Sequence, residues 1–322
     1  MSSVHVIGTG GTIASRASAG GSVVADSTQQ VLANLGVSNE VTTEDVLQIN
    51  SFHLTFGDLL TINHAVQAAC ARPEVSGVVL THGTDTMEET AFFLSLLHNS
   101  EKPVILTGAQ RAADLPNTDG PENLRQAVEA AASPAMRDAG VVIGFEAEFH
   151  AARHTRKRHT LATSTFSGGT LIAHCYDNVL TRLATAVSYP VLDTPEATFA
   201  DLNIPVLDAA PGTNADLFYA ALDSGADGLV LQGVGAGNAP PVFTEAVQAA
   251  AAANVPVVLS TRVPMGPIAA IYGNGGGVTL LASGALSAGQ LNTYQARIVL
   301  AVLLAQARPA DTLRAAFQAQ TL

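Results

Sequence analysis

Gly77-Val78-Val79-Leu80-Thr81-His82-Gly83-Thr84-Asp85-Thr86 decides how this chain folds. A short aliphatic and β-branched run, too brief for a helix, ends on turn-forming and hydroxyl residues. Met87-Glu88-Glu89-Thr90-Ala91-Phe92-Phe93-Leu94 then continues with a helical pattern. The unit is a buried strand, a loop and a helix, and it recurs in both directions. Val4–Ile7, Val46–Ile49, Val104–Leu106 and Val141–Ile143 read as further buried parallel strands, with helical stretches near residues 57–71, 86–98 and 121–132. Strands alternating with helices predict a parallel sheet covered on both faces.

Near residue 187 the rhythm breaks. Residues 188–212 hold Pro190, Pro195, Pro205 and Pro211 without a sustained period. The alternation then resumes with Val206–Leu207, a helix over 213–223, Gly228–Gln232, a helix over 241–253 and Val255–Leu259, before two closing helices over 291–306 and 310–319. The expected fold class is α/β with two domains, each a mostly parallel sheet flanked by helices. The larger spans residues 1–187, a linker covers 188–206, and the smaller spans 207–322.

Of 322 residues, 15 are basic and 27 acidic, a net charge of −12, and 48% are hydrophobic. That apolar content builds a core and excludes a disordered chain. The acidic balance argues against a nucleic-acid partner, whose phosphates need a basic face. Two cysteines, Cys70 and Cys175, are too few for a disulfide framework and read as free thiols of a reducing compartment. No run approaches the roughly 20 apolar residues of a membrane span. Met1-Ser2-Ser3 leads directly into the first strand, so the expected location is cytoplasmic with no membrane partner.

Ligands of open parallel sheets bind outside the carboxyl ends of the strands. There the sequence places Gly8-Thr9-Gly10-Gly11-Thr12-Ile13-Ala14, Asn50-Ser51-Phe52, Thr81–Thr86 and Thr107-Gly108-Ala109-Gln110-Arg111. Gly8-x-Gly10 is an incomplete dinucleotide fingerprint, because Ile13 holds the third glycine position and no acid ends the second strand. Thr12 at such a turn exposes its hydroxyl, with the N–H groups of Gly10 and Gly11 expected free to face an oxyanion. Asp85 alone reads as a helix cap, with Glu88 and Glu89 favourable in the first turn. A cap does not account for Thr81-His82-Gly83-Thr84 before it. A hydroxyl beside a carboxylate there suits a nucleophile or water-activating group next to an ammonium-binding acid.

Thr9-Gly10-Gly11-Thr12-Ile13-Ala14 and His82-Gly83-Thr84-Asp85-Thr86-Met87-Glu88-Glu89-Thr90-Ala91 resemble the two signature stretches of bacterial-type L-asparaginases and glutaminase-asparaginases. Asp119-Gly120-Pro121-x-Asn123-Leu124, Gly233-Val234-Gly235-x-Gly237-Asn238 and Ser260-x-Arg262-Val263-Pro264-x-Gly266 are similar to further motifs of that family. The resemblance implies hydrolysis of L-asparagine to L-aspartate and ammonia, with minor glutaminase activity, without cofactor or metal, in a homodimer or homotetramer. It implies Thr12 as nucleophile on the amide carbon, and Thr84, Asp85 and Lys157 as a second hydroxyl–acid–amine group. Substrate contacts are implied for Gly11, Ser51, Phe52, Gly83, Thr84, Asp85 and Ala109, and for Asn238 lent by a neighbouring subunit. Only Lys102 and Lys157 among the 15 cations are lysines. Lys157 stands where the family pattern wants an amine able to release a proton, which arginine cannot do.

Two departures stand out. Residues 13–40 contain no tyrosine, where the family's lid usually supplies one, leaving Ser22, Asp26 and Ser27 as candidates by position for taking the Thr12 proton. Phe52 stands where many members carry a polar residue sharing the substrate ammonium, which predicts weaker binding than in the tightest members. Three other readings compete. Glu146, Glu148, His150 and His154 invite a metal site, but their period-two alternation with Phe145, Ala147 and Phe149 reads as a half-solvated strand end. Arg153–His159 is an isolated basic run in an acidic protein, and His82 reads as a packed histidine. From another class comes a non-catalytic amino-acid-binding protein of the same fold, separated from an enzyme by ammonia release.

Overall fold

The protein is described from a computed structural model, which covers residues 3–33, 35 and 39–321; the side chain of Ser22 lies outside the described set. Two compact units divide between Val191 and Leu192, inside the proline-rich stretch. That stretch is not free chain beyond the division. Residues 197–201 form a one-turn helix whose Phe199 is fully buried.

The first unit runs β1 (Ser3–Gly10), β2 (Ser15–Ser18), β3 (Gly21–Val24), α1 (Thr28–Leu32), β4 (Glu40–Ile49), α2 (Phe56–Ala71), β5 (Val75–Thr81), α3 (Met87–Leu97), β6 (Val104–Thr107) and α4 (Gly120–Ala132). It continues with β7 (Val141–Phe145), β8 (Glu148–Ala151), β9 (Arg156–Lys157), β10 (Phe166–Ser167), β11 (Leu171–Tyr176) and β12 (Val179–Arg182). Its main sheet has the order β12-β11-β8-β7-β6-β5-β1-β4. Pairings from β4 through β7 are parallel, and those among β7, β8, β11 and β12 are antiparallel.

Period-two alternation sends Val4, Val6, Val79, Ile105 and Val142 to one face, where Leu124, Ala127 and Val128 of α4 complete a core cluster. Helices α2 and α3 cover β5 and β7 from the other side. Thr55 caps α2 through a reciprocal pair with Asp58, a signature visible in sequence.

Two expectations fail here. The second predicted strand is not buried: among the described residues β4 pairs only with β1, at the sheet's end, and its residues are half-buried or exposed. The segment around Glu146 is a hairpin rather than a strand end. Glu146 and Ala147 form its turn with φ of 48° and 66°, a left-handed geometry that neither residue type signals. His150 therefore sits on a strand, its Nε2 3.0 Å from Glu148 Oε2, and not on a helix with His154.

The second unit carries β13 (Val206–Asp208), α5 (Asp216–Asp223), β14 (Leu229–Gly233), α6 (Val242–Ala252), β15 (Val257–Thr261), α7 (Gly277–Ala282), β16 (Leu286–Ser287), α8 (Thr293–Ala305) and α9 (Ala310–Thr321). Its sheet, β13-β14-β15-β16, is parallel throughout. Short α7 and β16, hidden behind a glycine-rich stretch, have no counterpart in the sequence reading.

Leu124 is fully buried in the cluster between α4 and the sheet. Replacing it with alanine is expected to lower the stability of the first unit by about 2–5 kcal/mol, read from the urea midpoint at unchanged slope.

Candidate active site

Three strand ends of the first unit meet through glycine. Gly11, at φ 80°, faces Gly83 so closely that a Cβ on Gly11 would lie 2.4 Å from the Gly83 nitrogen. A Cβ on Gly83 would lie 2.5 Å from Ser51 Oγ. The turns after β1, β5 and β4 are therefore in contact, and each allows only glycine or a small buried residue. A fourth joins them: a Cβ on Gly120 would lie 2.8 Å from Ile13 and 3.2 Å from the buried Ala109. Ser15 Oγ donates to the Gly11 carbonyl at 2.8 Å and braces the first turn.

Thr12 opens a one-turn helix, Thr12–Ala14, and is partly exposed at this rim. The Gly11 N–H donates to the Ile49 carbonyl at 3.1 Å, so the expectation of a free donor at Gly11 does not hold. Thr84 is buried, and Lys157 Nζ donates to its Oγ1 at 2.8 Å and to Asp85 Oδ1 at 2.8 Å. Thr84 in turn donates to Gln110 Oε1 at 2.9 Å. Asp85 is not a helix cap: α3 begins at Met87 behind Thr86, which makes no capping bond and donates to the Ser51 carbonyl at 2.8 Å.

Lys157 arrives from far along the chain on a two-residue strand paired with Phe166–Ser167. Its backbone N–H donates to Glu88 Oε2 at 2.5 Å. Burial pushes the Glu88 carboxyl above its ordinary range, against the opposing pull of the Lys157 N–H, Arg156 and Lys157. Asp119 accepts from the backbone nitrogens of Gln110 at 3.0 Å and Arg111 at 2.9 Å and from Asn123 Nδ2 at 3.2 Å, which pins the turn after β6.

Residues 3–179 match the family model for the asparaginase N-terminal domain, and residues 203–317 match that for the glutaminase/asparaginase C-terminal domain. The chain belongs to the asparaginase family. It is 36% identical over 323 residues to a probable L-asparaginase of Deinococcus radiodurans, covering 97% of this chain and 96% of the relative. It is 32% identical to an L-asparaginase of Bacillus licheniformis, with 94% and 95% covered. Among solved structures, a probable cytoplasmic L-asparaginase from Campylobacter jejuni superposes with a TM-score of 0.87 at 26% identity, covering 99% of both chains. The protein is thus an amidohydrolase acting on a small molecule.

In this asparaginase-family chain the stretch after Thr12 is a hairpin, β2–β3, tied down by Arg16 to Asp26 at 2.8 Å and by the Ala17 N–H to Asp114 at 2.9 Å. Of the positional candidates there, Asp26 is committed to Arg16, and Ser27 caps α1 by accepting from Gln30. The Ser22 side chain lies outside the described residues. Phe52 is 63% exposed, edge-on to His53 with ring centres 4.4 Å apart. Asn238 belongs to the second unit, where its Oδ1 accepts from the Gly277 N–H at 3.2 Å within a turn closed on Val234. Among the described residues no group of three or more His, Cys, Asp or Glu side chains is placed to hold a metal ion.

Sequence reasoning missed Glu88, Gln110 and Asp119 as builders of the site. Asp119 and Glu88 carried a signal, their places in the Asp119-Gly120-Pro121 motif and in the His82–Ala91 signature stretch, whereas Gln110 carried none. His82 is fully packed: Nδ1 donates to the Gly83 carbonyl at 2.7 Å, leaving Nε2 to accept from Thr90 at 3.0 Å. Burial lowers its pKa from 6.5 to about 4.

A histidine held neutral when folded takes up its proton more readily when unfolded. Between about pH 6.5 and 4 the unfolded chain binds more protons at this position, so His82 makes stability fall as pH drops through that window. Comparing denaturation midpoints at pH 7 and pH 5 should show this loss reduced in His82→Gln.

Proposed function

We propose that the protein hydrolyses L-asparagine to L-aspartate and ammonia, with L-glutamine as a lesser substrate and Thr12 as the nucleophile. The observation that carries this reading is Lys157 Nζ at 2.8 Å from both Thr84 and Asp85, on the rim that presents Thr12. Asparagine is a zwitterion. Its ammonium needs a fixed anion, here Asp85, whose half-exposed carboxylate is open to a second cation. Its carboxylate needs donors, a role we assign to the Ser51 turn beside Gly83.

Thr12 Oγ adds to the side-chain amide carbon and gives up its proton. The tetrahedral oxyanion collapses with cleavage of the C–N bond, and the nitrogen leaves as ammonia after taking a proton. Water then adds to the resulting ester at a position set by the Thr84–Asp85–Lys157 group. The ester C–O bond breaks, Thr12 regains a proton and aspartate is released, so one water is consumed per amide. Gly11, Gly83 and Ala109 keep the space beside both threonines free of bulk. Asn238 enters from a neighbouring subunit of a homodimer or homotetramer, an assembly supported by the exposed apolar run of Val263, Met265, Ile271 and Tyr272. A cytoplasmic location is supported by the free thiols of Cys70 and Cys175 and by the name of the Campylobacter jejuni neighbour, although a Haemophilus influenzae relative is named periplasmic.

Ammonia release from L-asparagine, D-asparagine and L-glutamine tests the reading. Wild type should favour L-asparagine, Thr12→Ala should lose ~10⁴-fold or more in kcat, and wild-type turnover by Thr12→Ala would sink the nucleophile assignment. In a separate measurement, Lys157→Arg should be as inactive as Lys157→Ala to within about threefold, because a guanidinium holds its proton.

A further inference from the structure

Gln110 contacts the reactive group of the proposed mechanism without having a part in it. Its Nε2 donates to the carbonyl of Ala162 at 3.0 Å and lies 3.5 Å from that of Thr160. Carbonyl oxygens only accept, so the amide nitrogen has to face them and Oε1 is turned towards Thr84. The direction of the next bond follows. An amide oxygen carries no hydrogen, so in its contact with Thr84 Oγ1 only the hydroxyl can donate, and the single Thr84 proton is not available to Lys157. The Thr84 hydroxyl donates to Gln110 Oε1 at 2.9 Å, while Lys157 donates into a lone pair of Thr84 Oγ1 at 2.8 Å. Donation therefore runs in one sense from Lys157 through Thr84 and Gln110 to the 160–162 loop.

We propose that Gln110 is a positioning residue that accepts the Thr84 hydroxyl hydrogen bond and thereby locks the hydroxyl, leaving the remaining lone pair of Thr84 Oγ1 for the incoming water. The residue is itself held at three points. Asp119 fixes its backbone nitrogen, the two carbonyls orient its amide, and Thr84 closes the chain. Without an acceptor at position 110, the buried Thr84 hydroxyl would have to turn towards Asp85, which competes with the substrate ammonium and with Lys157. This inference rests on the proposed role of Thr84.

Gln110→Met keeps the length of the side chain and removes the acceptor. It should lower kcat about tenfold, the worth of one buried hydrogen bond, with KM changed less than about threefold. In a Thr84→Val background the same substitution should change kcat less than about twofold, because its target is gone. A merely structural role predicts equal losses in both backgrounds. That result, or Gln110→Met turnover within twofold of wild type, overturns the proposal. Unfolding free energies of the same four proteins should show the matching non-additivity and report on the Thr84–Gln110 bond even without turnover. Should Gln110→Met not fold, Gln110→Ala takes the same cycle. Absence of ammonia release by wild type from any of the three amides defeats the functional reading alone, whereas additive unfolding energies defeat the positioning role.

Discussion

The contact of Gly11 with Gly83 is the constraint on which the rest of the site depends. Each glycine immediately precedes a threonine, so bringing the two backbones together sets Thr12 and Thr84 on one rim without any side-chain interaction between them. Ser51 on the far side of Gly83 closes the stack. A methyl group at either glycine would sit within 2.5 Å of a backbone or hydroxyl atom, too close for any flexible neighbour to relieve at Gly11, where the obstacle is the main chain itself. Parallel strands β1, β4 and β5 lie side by side in the sheet, and their ends converge only because these residues omit bulk.

A second arrangement brings the charge. Lys157 lies 73 residues from Thr84 and comes from outside the parallel sheet, on a short two-stranded ribbon. Two ties bring that ribbon to α3. Glu88, in the first turn of the helix, accepts the Lys157 N–H, and the Arg153 guanidinium stacks on Phe92 of the same helix, 5.1 Å from its ring centre, and on Tyr189 at 3.5 Å. Acid, hydroxyl and amine thus hang on one helix start, and the helix positions the lysine as much as it positions Asp85.

How much of this is legible in sequence follows from the range of each interaction. The central strands and helices α2, α3 and α4 are local patterns of period two or 3.6 with ordinary turn chemistry, and they read correctly. The 146–147 hairpin does not, because its left-handed turn is built from Glu and Ala where a reader looks for Asn or Gly. Glu88 looks like any first-turn acid, and only a partner 69 residues away turns it into a clamp. Gln110 shows the same limit, since its function lies in which end of its amide faces Thr84, and two distant carbonyls decide that. The family resemblance pointed to Thr84, Asp85 and Lys157, which the fold brings together, but its motifs did not indicate what holds them in place.

The scarcity of lysine acquires a physical meaning from this geometry. Arginine in this chain serves where a broad cation helps: the Arg153 guanidinium contacts the rings of Phe92 and Tyr189, and burial lowers its pKa to about 10. Arg125 spreads its fork over Glu122, Glu129 and Asn178. At position 157 the acceptors are a hydroxyl on Thr84 and a carboxylate on Asp85, each 2.8 Å from one nitrogen. A guanidinium would have to spread those two bonds across its plane and push the ribbon back from α3. A compact ammonium on a flexible stem meets both from a single atom. The residue that a 13-to-2 preference for arginine would exclude is retained at the point where two oxygens must share one donor centre.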